Sequence, residues 1–242
     1  MVLTHSLNKI IEWSKENRSR SGYFPALYRK VTIRVKKGID EGEFADGKRM
    51  ECLDVNFANR YLEAFERYHS SKDVTRSWKL AFDSSKRWRP IVMQHLLLGM
   101  NAHIALDLGI AAAQTADREK LEDLKGDFFK INNILVSLIN EVQEELAGVW
   151  PLLKLLDYAA GEADEYLAKF GMIISRGHAW EVAKELSDLA PQERTSKIED
   201  LDREVSEIGT IILNPGYFVR SVLLLIRLGE IRSVPGIIRM LE

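Results

Sequence analysis

His103 and Asp107 stand four residues apart in a run that is otherwise almost wholly apolar or small, from Ile91 to Ala113. The same run also carries Gln94, His95 and Asn101. Burying such groups costs free energy unless each finds a partner. The segment therefore holds either a satisfied polar network or a working site. On a helix, a four-residue spacing puts two side chains about 40° apart around the axis and one turn apart along it. His103 and Asp107 can then touch each other, or both can face one ion. The spacing recurs among metal ligands, and it recurs more often in buried ion pairs and hydrogen bonds. A divalent metal ion held there would activate a water for hydrolysis or polarise a phosphate or carbonyl.

Other polar clusters stand where they can join this pair. Asp127 and Asn132 open the apolar-periodic stretch Asp127–Leu135. If that helix runs antiparallel to the 90–114 helix, Asp107 and Asp127 converge, and two close carboxylates need a cation or a proton between them. Asp54 lies on the side of Phe57 and Ala58, and Arg60 is a counter-ion for a carboxylate. Arg176 and His178 flank Gly177, but position 182 is Val, so no second His-x-x-x-acid pair forms. Asn101 lies about 160° from His103 around the helix and is expected to bond helix to helix. His95 is about 12 Å along the axis from His103, too far to share its ion, and reads as a core histidine bonded to a backbone carbonyl. Gly99 and Gly109 weaken a helix, so they predict close approach of another helix or a ligand. Gly-rich phosphate loops, Gly-x-Ser-x-Gly and His-Glu-x-x-His are absent, as are the paired Glu-x-x-His motifs of di-iron bundles.

These residues give two readings. In the first, His103, Asp107 and Asp127 are metal ligands, with His103 and Asp107 catalytic in a metal-assisted hydrolysis. Asp54, Arg60, Asn101, Asn132, Arg176 and His178 then surround a small-molecule ligand. In the second, the chain is a non-catalytic helical domain that binds a ligand or partner, and His103–Asp107 is a buried structural pair. The second predicts that His103→Ala lowers stability by leaving Asp107 buried and unpaired.

The elements that must position these residues are helical throughout. Gly and Pro fall between periodic segments, and no alternating strand pattern persists. The periodicity predicts helices at about 3–19, 25–40, 47–70, 74–85, 90–114, 118–147, 151–158, 161–190, 193–212 and 216–229, with a short one near 234–241. Asp46 is an N-cap for the third. Pro90, Pro151 and Pro191 suit first helical positions, Gly42 and Gly148 suit helix stops, and Asn214-Pro215-Gly216 is a turn. Phe218, Val222, Leu225 and Ile226 form an apolar stripe that is either core or an exposed face. The expected fold is all-α, a single compact domain over 1–242 with a central buried helix at about 90–114.

Composition narrows the function classes. With 34 Lys+Arg against 36 Asp+Glu the net charge is −2, which argues against nucleic acid as a partner. Cys52 is the only cysteine, so no disulfide framework exists; a reducing, cytoplasmic setting fits best. Cys52 itself reads as a small core residue. The N-terminus lacks a signal-peptide layout. The 91–113 run is long enough to span a membrane, but its His and Asp residues favour a core helix, so no membrane span is expected. Oligomeric state is left open.

The run Asn101-Ala102-His103-Ile104-Ala105-Leu106-Asp107-Leu108, with Phe57–Leu62, Asp127–Asn132, Arg176 and Ala179-Trp180, resembles a bacterial all-helical family of uncharacterised function. The resemblance extends from about Gly22 to Glu185. It implies a fold with a buried Asn-Ala-His-x-x-x-Asp-Leu helix and brings no activity with it. A likeness to zinc-dependent phospholipase C and related nucleases is confined to His103 and Asp107. The N-terminal Trp ligand, the signal peptide and the downstream His-x-x-x-Glu pair of those enzymes are missing.

Overall fold

A computed structural model describes residues 2–116, 120–131, 176–230 and 232–242, and among them every regular element is helical. α1 (Val2–Glu16) leads through a 3-10 turn at Arg20–Gly22 into α2 (Tyr23–Asp40). α3 (Gly47–His69) and α4 (Arg76–Ser85) follow. The central helix comes next in three parts: α5 (Val92–Met100), a π-helical stretch (Asn101–Asp107) and α6 (Leu108–Thr115). α7 covers 120–131. The chain closes with α8 (Arg176–Asp188), α9 (Pro191–Leu213), α10 (Tyr217–Gly229) and α11 (Val234–Leu241). The helices predicted at 151–158 and at the far end of 118–147, with Pro151 and Gly148, lie outside the described residues.

The ends of these helices have local causes. After α2, Gly42 takes a positive φ of 72°, a conformation that costs glycine little. Its N–H then donates to the Ile39 carbonyl at 3.2 Å, while the Glu43 N–H reaches back to Gly38 at 2.9 Å. This pair of bonds satisfies carbonyls that the last turn leaves free. Asp46 accepts from the Arg49 N–H at 3.0 Å and caps α3. Pro191 opens α9, and Asn214-Pro215-Gly216 bends the chain by 67° between α9 and α10. Pro90 departs from expectation. The central helix begins at Val92, with Ile91 as its N-cap residue. Its free amides are met by side chains instead: Gln94 accepts from the Ile91 N–H at 3.1 Å, and Glu230 accepts from the Val92 N–H at 2.9 Å.

The central helix is the axis of the core. It packs against α2, α3, α4, α8 and α9. Gly99 lets the ring of Phe24 lie where a Cβ would meet it at 2.5 Å, and Gly109 does the same for Val182 at 2.6 Å. The two glycines therefore serve close approach of neighbouring helices. By length and composition Val92–Thr115 passes as a membrane span, and α9 with α10 passes only as a sharply bent pair; 94% of the Val92–Thr115 window is buried inside the protein.

Candidate functional site

Asp107 ends the π-helical stretch and is fully buried. Three donors reach its carboxylate. Arg60 of α3 donates Nε–H to Oδ1 at 2.6 Å. Trp78 of α4 donates its indole N–H to Oδ2 at 2.8 Å. His103 Nδ1 lies 3.3 Å from Oδ2. Burial opposes the charge on Asp107, but Arg60 and His103 hold its carboxyl below the usual carboxylate range. An ionised carboxylate only accepts hydrogen bonds, so Nδ1 of His103 must carry the proton and Nε2 is left with a lone pair. Nε2 has no hydrogen-bond partner among the described residues.

The imidazole sits in an aromatic cage. Phe57 stacks on it at 3.6 Å, nearly parallel, and Tyr28 meets it edge-on at 4.5 Å. Phe24, Tyr61 and Trp78 close the remaining sides. Burial pushes the His103 pKa down, Asp107 pulls it up, and Arg60 adds to the lowering; the direction is down. The ring is thus neutral and enclosed.

The network borders a cleft at Arg60, Trp78 and Asp107. A cleft of about 580 Å³ lies between α3, α4 and the first half of α9, with Asp107 and Trp78 on its floor. Arg60, Arg67 and Arg76 line it, facing Glu63, Asp73 and Glu199. Arg67 is held by the Asp73 carbonyl, its Nε–H donating at 2.6 Å. Asp202 is already engaged: it accepts from the Arg76 and Ser77 amides at 2.6 and 3.0 Å and from Ser77 Oγ at 2.7 Å. This carboxylate, brought from α9, caps α4 and favours its positive end. Arg60 offers only its Nε to Asp107, and no described residue accepts from its two Nη groups.

Residues 2–215 match the model of a family described as Family of unknown function (DUF5995). The chain belongs to that family. This agrees with the resemblance carried by Asn101–Leu108 and its companion runs, and it brings a shared fold without an assigned activity. No curated protein and no solved structure matches the chain. Within this family member, the matched residues contain the whole His103–Asp107–Arg60–Trp78 network, and they end before α10.

Of the residues singled out in the sequence, the cleft unites Arg60 and Asp107. Asp127 does not converge with Asp107. Its two oxygens accept from the Ala45 and Asp46 amides at 2.9 and 3.0 Å, with Lys130 at 3.3 Å, so it fastens α7 to the entry of α3. Asp46 and Arg60 are separated by about 21 Å along α3, so Asp127 stands far from Asp107. Burial opposes the Asp127 charge, yet the two amides and Lys130 bring its pKa below the ordinary value. Among the described residues no three His, Cys, Asp or Glu side chains are grouped to hold a metal ion.

The other candidates have separate places. Asn101 faces α9, as expected, and donates to the Val205 carbonyl at 2.8 Å. Asp54 is half-buried on α3, about 120° around the axis from Arg60. Burial, with Glu51 nearby, pushes its carboxyl up to about 7. His178 is half-buried on α8, away from the cleft. Arg176 begins α8; its side chain and Asn132 lie outside the described residues. His95 Nδ1 lies 3.4 Å from Ser84 Oγ. Burial, then Arg20 and Arg227, lower the His95 pKa to about 3, against a smaller opposing effect of the Pro90 backbone. Cys52 corrects the sequence reading, for it is exposed, on a side of α3 that turns away from the core with Glu51 and Val55. Trp78 was not singled out in the sequence. A buried indole N–H needs an acceptor, and Asp107 is the one acid in the apolar run.

Proposed function

We propose that this protein is a helical ligand-binding domain whose cleft receives a small molecule with one anionic group, and that His103–Asp107 is the structural anchor of that cleft. The observation that carries the reading is the state of Arg60. Asp107 grips its Nε edge at 2.6 Å, Arg60 lines the cleft, and its Nη donors have no acceptor among the described residues. A guanidinium fixed on one edge is preorganised for a carboxylate or phosphate on the other. Arg76 has an exposed side chain on the same cleft and supplies a second cation. Glu63, Asp73 and Glu199 repel a polyanion, which selects for a single anionic group.

The metal-hydrolysis reading draws less support from this arrangement. All three donors on Asp107 compete with a metal for its lone pairs, and the Arg60 guanidinium at 2.6 Å repels a second cation. The only unclaimed ligand atom of the pair, His103 Nε2, points into the aromatic cage.

Calorimetric titration with monocarboxylates, phosphate monoesters and inorganic pyrophosphate tests the proposal. At least one of the two classes that carry a single anionic group is expected to bind, with pyrophosphate weaker. Arg60→Gln and Arg76→Gln should each weaken that binding at least tenfold, with Arg76→Gln keeping the wild-type melting temperature because Arg76 is exposed. Binding unchanged in both variants, or no binding of either monocarboxylates or phosphate monoesters, would overturn it.

A further inference from the structure

α10 is apolar on two faces, but only one of them is buried. Val219, Leu223 and Ile226 enter the core. Tyr217, Phe218, Leu224, Leu225 and Leu228 face outward, with Tyr217 91% and Leu228 61% exposed. Their three- and four-residue spacing makes one stripe along the helix. Trp88, 51% exposed, extends the stripe from the loop before α5. That loop is clamped to α10: Arg227 donates to the Trp88 carbonyl at 2.7 Å and stacks over its ring at 5.3 Å. Arg227 is itself fixed by Glu230 at 2.7 Å.

The rim of the stripe is cationic. Between loop and helix runs a groove of about 750 Å³, lined by Arg87, Arg89 and Arg220 beside Trp88, Tyr217 and Leu224, with no acidic residue among its described lining. From Ile208 to Leu241 the chain carries four arginines and a single acid, Glu230, and that acid is buried and paired with Arg227. A chain of net charge −2 has thus gathered positive charge around this exposed apolar face.

We propose that α10 and the Arg87–Arg89 loop dock on the surface of an anionic lipid bilayer. The apolar stripe would enter the boundary between headgroups and acyl chains. Trp88 and Tyr217 suit the interfacial depth, and the arginines meet lipid phosphates. A second copy of the chain fits this face less well, because a two-fold contact would set Arg87, Arg89 and Arg220 against their own counterparts. The face is separate from the cleft: Arg76 opens α4 and Arg87 follows its last residue, so about 14 Å of helix lies between them.

Vesicle flotation with the full chain tests this, using phosphatidylcholine vesicles with and without phosphatidylserine. The wild type is expected to float with the phosphatidylserine vesicles, less so as salt is raised, and to stay behind with phosphatidylcholine alone. Leu225→Asp and Arg220→Glu, both at exposed positions, should each lower the bound fraction at least tenfold without changing the melting temperature. Absence of wild-type flotation would overturn the proposal. So would equal binding to both vesicle types, or a concentration-dependent dimer in sedimentation that Leu225→Asp abolishes.

Discussion

Asp54 and His95 pull stability in opposite directions as the pH falls. Asp54 has a folded pKa near 7 against an ordinary 3.8. A group whose pKa is raised on folding binds its proton more tightly in the native state. Its contribution is therefore full below 3.8 and is lost as pH rises through about 7. His95 has a folded pKa near 3 against an ordinary 6.5. The unfolded chain takes its proton first, so stability is lost as pH falls from 6.5 towards 3. Urea unfolding across pH 4 to 8 separates the two. Asp54→Asn should remove the downward slope on the alkaline side, gaining stability over wild type at pH 8 relative to pH 5. His95→Gln should flatten the acid side. Slopes identical to wild type in both variants would contradict these assignments. The residue scale also revises one sequence expectation. His103→Ala does not strand Asp107, which keeps Arg60 and Trp78; its cost comes from the cavity left among Phe57, Tyr28 and Phe24.

At the scale of elements, apolar periodicity read most helices because each buries one face, and Gly42, Asp46 and Pro191 marked ends through their own backbone chemistry. Pro90 misled because the caps of the central helix, Gln94 and Glu230, come from within the helix and from the far end of the chain. The π-helical stretch was not legible, since nothing in Asn101–Asp107 distinguishes a wider turn from an α turn by composition. It keeps His103 and Asp107 on one side while Asn101 faces α9, and such stretches recur where a helix carries function. The close packing of this helix makes Gly109 sensitive. A Cβ there would stand 2.6 Å from Val182 Cγ1 and 2.9 Å from the Ala179 carbonyl, which is backbone and cannot give way cheaply. Gly109→Ala should therefore destabilise by about 1–3 kcal/mol, although alanine is the better helix former by about 1 kcal/mol. Chemical denaturation checks this, and a neutral or stabilising result would mean that α8 moves freely aside.

For the whole molecule, the cleft depends on parts distant in sequence: Arg60 from α3, Trp78 from α4, Asp107 from the central helix and Asp202 from α9. The sequence marked Arg60 and Asp107 by their charge in an apolar setting. It did not mark Trp78, Arg67 or Arg76, whose roles come from which helices meet. For the same reason Asp127, equally conspicuous in sequence, lies at another corner of the fold. The central claim is that His103–Asp107 is a neutral-ring, ion-paired anchor that fixes Arg60. Nitrogen NMR of the His103 imidazole tests it most directly, recorded from pH 5 to 8 with and without one equivalent of zinc. The ring is expected to be neutral and protonated on Nδ1 alone at pH 7 and above, with any titration displaced below the ordinary 6.5, and to be unchanged by zinc. Titration of the ring near 6.5, or a zinc-dependent shift of Nε2, would contradict it and restore the metal reading.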